Sequence, residues 1–173
     1  MERAADGRLL VVADSSFLIN FLAVDRMDIL GRLPQFRFHV VNHVLAEVRY
    51  EVQRRRLHAA LEAGTVTEIE ITEPAEILLY DEFRHFLGDG EAASLAVAIR
   101  RRWVIAADEK GAFRRELFGR LGDDYLLDTL GALVTAIKAD VITVADAETV
   151  RAQMREHRFE MESTPFEELL REE

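Results

Sequence analysis

The chain has 173 residues, 49% of them hydrophobic, and a formal net charge of −10. A chain of that length buries roughly 70% of its unfolded surface, enough for one core, and its acidic balance excludes a protein that coats nucleic acid in bulk. The absence of cysteine excludes disulfides, zinc–thiolate sites and thiol nucleophiles and suits a reducing cytoplasm, the expected location.

The chain alternates apolar runs with amphipathic stretches. Residues 9–14, Leu-Leu-Val-Val-Ala-Asp, read as a buried strand closed by an acid. Helical periodicity follows from 17 to about 33 and breaks near Asp25. The apolar stretch between Asp14 and Asp25 falls far short of the roughly 20 residues of a membrane span. No basic segment precedes a signal-like core, so a soluble, unprocessed chain without a membrane partner is expected. Residues 36–41 read as a strand, and Asn42 as the N-cap of one long helix over about 43–63 that stops at Gly64. Residues 66–71 alternate like a half-exposed strand. Pro74 opens a helix to about 86, Gly88-Asp89-Gly90 is a loop with Asp89 as the cap, and a helix runs from Glu91 to Arg102.

The run Trp103-Val104-Ile105-Ala106-Ala107 is a second buried strand, again closed by an acid, Asp108. A helix to about 121, a short strand at 125–127 and helices near 129–139, 147–157 and 165–171 complete the pattern, the last ending in a solvated acidic tail. This alternation predicts a single domain over 1–173 with C-terminal helices from about 145. Its fold is a three-layer α/β/α architecture on a mostly parallel sheet.

In such a sheet the carboxyl ends of the strands face the ligand crevice. Asp14 and Asp108 are delivered there, and Glu47 and Glu91 lie on helices that can join them. The four make an oxygen-only set, which suits Mg²⁺ or Mn²⁺. Each acid also has a structural role available to it. Asp14 can cap the helix that follows, and Glu91 can favour a helix's first turn through the macrodipole. Glu51, one turn after Glu47, is the rival ligand, and His43 with Glu47 forms an i, i+4 pair without the His-Glu-x-x-His pattern of zinc proteases. Ser15 and Ser16 can cap or hold the carboxylate of Asp14.

Lysine occurs only at 110 and 138, so the cations are nearly all arginine, clustered at 54–56, 100–102 and 114–115. Arginine is the better bidentate phosphate ligand. Lys110, Arg114 and Arg115, just after Asp108, are candidates to meet a substrate's backbone phosphates.

Several segments together resemble the PIN-domain nucleases, in particular their VapC-like, uncharacterised predicted nucleic-acid-binding subset. Val12-Ala13-Asp14-Ser15-Ser16-Phe17 is similar to the opening acidic motif and Val44-Leu45-Ala46-Glu47-Val48 to the second. Gly88-Asp89-Gly90-Glu91-Ala92 is similar to the Gly-x-Gly-Glu-Ala helix start, and Asp108-Glu109-Lys110-Gly111-Ala112-Phe113-Arg114 to the fourth motif. Asp128-Thr129-Leu130-Gly131 resembles a Gly-Thr-Leu-Gly run of that subset.

The resemblance implies a sheet of about five strands and a Mg²⁺- or Mn²⁺-dependent endoribonuclease with Asp14, Glu47, Glu91 and Asp108 as catalytic metal ligands. Its products would carry a 5′-phosphate and a 3′-hydroxyl. Ser16, Lys110, Arg114 and Arg115 would serve RNA binding. It also implies a homodimer, and a toxin role with a small antitoxin as partner. Apolar residues between Phe17 and Leu33 that one sheet face leaves uncovered would form the dimer contact.

Three positions depart from the pattern: Ser16 in place of Asn, Glu109 in place of a second Asp, and Asp128 in place of Gly. Asp128 either adds a fifth carboxylate or caps the next helix. The alternative to a nuclease is a catalytically inactive PIN-like module that binds RNA or protein. A phosphohydrolase with Asp14 as nucleophile would carry Asp-x-Asp at the first strand, where Ser16 stands instead. No phosphate-binding glycine loop follows that strand.

Overall fold

The computed structural model describes residues 1–171. Five strands form one sheet: β1 (Leu9–Ala13), β2 (Phe36–Val41), β3 (Val66–Ile69), β4 (Val104–Ala106) and β5 (Leu126–Leu127). Their order is β3-β2-β1-β4-β5, and every pairing is parallel. The helices are α1 (Ser15–Ala23), α2 (Met27–Arg32), α3 (Asn42–Glu47), α4 (Glu51–Glu62), α5 (Pro74–Phe83), α6 (Asp89–Arg101), α7 (Ala112–Arg120), α8 (Thr129–Lys138), α9 (Val144–Glu156) and α10 (Phe166–Leu169).

β1 is central and covered on both faces, which is why it reads as an unbroken apolar run. Successive side chains leave a strand on opposite faces. Val11 and Ala13 join one core cluster with Phe17, Phe21, Leu133 and Val150, whereas Val12 joins the other with Leu95, Ala96, Ile105 and Phe113. The expected α/β/α layering follows. One layer is built from α1, α2, α4, α8 and α9, the other from α5, α6 and α7.

The strand order reverses between β1 and β4. Connections leaving the two sides of such a point diverge and open a crevice at the carboxyl edge, where ligands of open α/β sheets bind. Ala13 pairs with Ala106, so Asp14 and Asp108 emerge side by side at that crevice.

Three local expectations are corrected. The long helix over 43–63 is two helices, with Val48 and Tyr50 in extended backbone between them. Val48 and Leu57 are both buried in the same cluster. Nine residues are about two and a half helical turns, so one straight helix would point them in opposite directions. The break re-aims the chain so that both reach the core.

Second, α6 begins at Asp89 with Gly88 as its N-cap. The Glu91 carboxylate accepts the Gly88 N–H at 2.7 Å and so draws the supposed loop into the first turn. Third, Phe17, Leu18, Phe21, Leu22, Ile29, Leu30 and Leu33 are all buried within the chain, so this segment offers no apolar dimer patch. The exposed large apolar side chains lie elsewhere, with Ile77 and Leu78 on α5 and Phe86 just beyond it. Glu172 and Glu173 of the expected acidic tail lie outside the described residues.

Candidate active site

Asp14 is fully buried at the end of β1. Its backbone N–H donates to Ala106 O at 2.9 Å, which pins it beside β4. Its Oδ2 accepts the Ser16 N–H at 3.2 Å and the Ser16 hydroxyl at 2.9 Å, so Asp14 does cap α1. Its Oδ1 is buried and has no hydrogen-bond partner among the described residues. Burial pushes its pKa up to about 6 against the opposing Ser16 bonds, and the nearby charge of Glu47 pushes the same way. The carboxylate is therefore oriented by one oxygen and left with the other to satisfy.

Asp108 lies beyond β4 and is held on three sides. The Thr129 N–H donates to Oδ1 at 3.0 Å, and the Thr129 hydroxyl and Asn20 Nδ2 donate to Oδ2 at 2.6 and 3.0 Å. Its own N–H donates to Ser16 Oγ at 3.2 Å, so one serine ties the two aspartate segments together. Burial raises the Asp108 pKa, and the charge of Asp128 adds to that.

Glu47 ends α3. Its Oε1 accepts the Gly90 N–H at 2.8 Å and its Oε2 accepts the Ser15 hydroxyl. The carboxylate lies so close over Gly90 that a Cβ there would stand 2.6 Å from Cδ and 2.7 Å from Oε1. The glycine leaves the carboxylate room to seat there, rather than supplying backbone freedom.

Glu91 is half-buried in the first turn of α6. Its neighbour across the crevice is Glu109. Burial, a hydrogen bond with the Glu91 carboxyl group, and the charges of Glu91 and Asp14 all raise the Glu109 pKa. Glu109 thus joins the acidic group, although its sequence position marked it only as a departure from the family pattern.

The remaining sequence candidates divide. Ser16 is integral to the site. Arg114 is anchored at its rim, with Nε donating to Glu109 O at 2.8 Å and Nη2 standing 3.9 Å from Asp128. Lys110 and Arg115 are exposed, and no contact brings them to the acids. Asp128 caps α8 by accepting the Gly131 N–H at 2.8 Å. Glu51 is exposed on α4, and His43 packs its ring 4.9 Å from that of Tyr80 rather than pairing with Glu47.

Asn20 and Thr129 went unrecognised in the sequence, and Gly90, legible as a place of close approach to a ligand, is approached instead by the Glu47 carboxylate. Asn20 did leave a signal there, as the one polar residue inside the apolar run Phe17–Leu22. It is 7% exposed, which requires a partner. Thr129 acquires its role only through Asp108, 21 residues away.

The donor chemistry fits a hard divalent cation: carboxylates only, with a buried, unpartnered oxygen on Asp14 and mutual repulsion that a cation would relieve. As the side chains lie, no group of three or more His, Asp or Glu among the described residues is arranged to hold a metal ion. Glu47 and Asp108 are engaged instead by Ser15, Gly90, Asn20 and Thr129.

The chain is thus a parallel α/β/α sheet with acids at the carboxyl edge beside its switch point. A family model described as a PIN domain matches residues 10–173. The chain belongs to the PIN-domain family, whose members are generally nucleases. No curated protein and no solved structure matches the chain. No helix among the described residues is long and apolar enough to cross a membrane.

Proposed function

We propose that this chain is an endoribonuclease that uses Mg²⁺ or Mn²⁺, held by Asp14, Glu47, Glu91 and Asp108. The observation that carries the reading is the buried Asp14 carboxylate, whose Oδ1 has no partner at the switch point of the sheet. A buried, unpaired carboxylate oxygen is costly, and a cation would satisfy it. When bound, the ion would supply charge neutralisation and activation of water for phosphodiester hydrolysis.

The chain's own residues do the positioning. Ser15 and Gly90 orient Glu47, Asn20 and Thr129 orient Asp108, and Ser16 couples Asp14 to the Asp108 backbone. Arg114 at the rim would meet a substrate phosphate with charge-assisted hydrogen bonds, and Lys110 and Arg115 would supply looser cationic surface. Glu109 adds a carboxylate beside Glu91 and Asp14.

The toxin role with a small antitoxin follows from the family resemblance. A homodimer would use exposed apolar residues of α5 such as Leu78, which is 71% exposed, in place of the buried α1 and α2. The test is cleavage of single-stranded RNA with Mn²⁺, Mg²⁺ or chelator. Cleavage that needs a divalent ion is expected; RNA binding without cleavage under either metal would replace the enzyme with the inactive-module reading.

A further inference from the structure

A groove of 680 Å³ runs between α1, the start of α4 and the end of α9. It abuts the acidic site, because Asn20 both lines it and donates to Asp108. Tyr50, which also lines it, stands three residues after Glu47, in the extended break between α3 and α4, and is 75% exposed. The wall behind is fixed. Arg56 Nη1 donates to Leu22 O at 2.7 Å and Ala23 O at 3.0 Å, tying α4 to the end of α1.

The opposite lip carries His157 and Arg158. Arg158 is exposed, and its side chain has no hydrogen bond or ion pair among the described residues. Arg56 is paired with Asp25 and Glu156 also lines the groove, so Arg158 is the guanidinium there with no partner among the described residues, in the same groove as the exposed Tyr50 ring and next to the acidic site. Gln53, on the floor, holds an amide oxygen without a partner.

An aromatic face, a free cation and an amide in one trough are the elements that receive an unpaired nucleotide. The ring stacks a base, the guanidinium meets phosphate, and the amide can read a base edge. Bases in a duplex are already stacked and paired and cannot enter. We propose that this groove carries a single-stranded segment of nucleic acid flanking the scissile bond, with a base on Tyr50 and a phosphate on Arg158. The proposal rests on the ribonuclease reading for the position of that bond.

The test uses the full chain carrying Asp14→Asn, so that binding is read apart from cleavage. Labelled single-stranded RNA, single-stranded DNA and duplex RNA are titrated by fluorescence anisotropy. Tyr50→Ala should weaken single-strand binding by roughly tenfold, and Tyr50→Phe should restore it. Arg158→Ala should lower the salt-dependence slope by about 0.7, and the duplex should bind more weakly than either single strand. Whether RNA or DNA binds more tightly identifies the sugar the groove accepts.

Unchanged single-strand binding by Tyr50→Ala would overturn the groove, even if the wild type cuts RNA. So would a parent that binds no oligonucleotide, or a Tyr50-dependent association with protein alone. Tyr50-dependent binding by a wild type that never cuts would keep the groove and discard the nuclease.

Discussion

Gly90→Ala tests how Glu47 is held. In the interior of a helix this exchange normally stabilises by about 1 kcal/mol, because alanine loses less backbone entropy than glycine. Here the added Cβ would stand 2.6 Å from Cδ and 2.7 Å from Oε1 of Glu47. The carboxylate is the far end of a flexible side chain, so it would swing away rather than force the backbone apart. It would then lose the Gly90 N–H bond of 2.8 Å and the Ser15 hydroxyl bond. A hydrogen bond to a charged group is worth about 1.5–3 kcal/mol. Glu47 is half-buried and recovers water when it leaves, so the lower end applies. Two such bonds at about 1.5 kcal/mol each, less the helix gain of about 1 kcal/mol, give a net destabilisation of about 2 kcal/mol.

In a Glu47→Ala background the three nearest clashing atoms are gone, and Gly90→Ala should stabilise by up to about 1 kcal/mol. A double-mutant cycle from urea unfolding reads this change of sign. If Gly90→Ala stabilises the chain with Glu47 intact, the carboxylate is not seated on the start of α6 and this description of the site is wrong.

Other consequences are equally open to measurement. In chelator, the raised Asp14 pKa of about 6 against the ordinary aspartate value of 3.8 means that the folded state holds this proton longer than the unfolded one. The associated stability is complete below about pH 4 and is lost as pH rises to about 6, by about 3 kcal/mol in all. Asp14→Asn should flatten that slope and stabilise the metal-free protein at pH 7, and an unchanged profile would contradict it. Thr129→Val removes the 2.6 Å bond to Asp108 while keeping the shape. It should weaken Mn²⁺ binding about tenfold or more, seen as a smaller thermal shift than the wild type shows at equal Mn²⁺. Arg151 is held by Glu148, donates to Glu162 O at 3.1 Å and Thr164 O at 2.7 Å, and stacks 4.6 Å over Phe166. Arg151→Ala should free the segment at 158–165 to proteolysis and cost about 2–4 kcal/mol. Unchanged proteolysis would remove the role of this clamp.

The two aspartates were legible because β1 and β4 are buried on both faces, so each strand writes an apolar run and the acid ends it. Glu47 and Glu91 were picked out on the helices that could join them, and the resemblance gave them their role as ligands; the charge of Glu47 acts on Asp14, and Glu91 stands against Glu109. The helix break at Val48–Tyr50 was not legible. The i, i+4 pattern of Val44 and Val48 continues acceptably on paper, and only the shared core with Leu57 forbids a straight helix. Asn20 was hidden because it lies 88 residues from Asp108; Gly90 was legible as a place of close approach, but not that Glu47, 43 residues away, makes it. Asp128 was readable as a cap from its place before an amphipathic run. Glu109 read as a departure from the family pattern, because nothing local to residue 109 says that Glu91 stands opposite.

The central claim is that the carboxylates at the switch point hold a divalent ion and that RNA cleavage depends on it. The direct measurement is a Mn²⁺ titration of wild type and Asp14→Asn, followed in parallel by thermal unfolding and by single-turnover cleavage of single-stranded RNA. The wild type should gain about 2.7 kcal/mol at a Mn²⁺ concentration 100 times its dissociation constant and begin to cut over the same concentration range. Asp14→Asn should show a weakened shift and no cleavage. Cleavage by Asp14→Asn at the wild-type rate, or wild-type cleavage undiminished in chelator, would contradict the account.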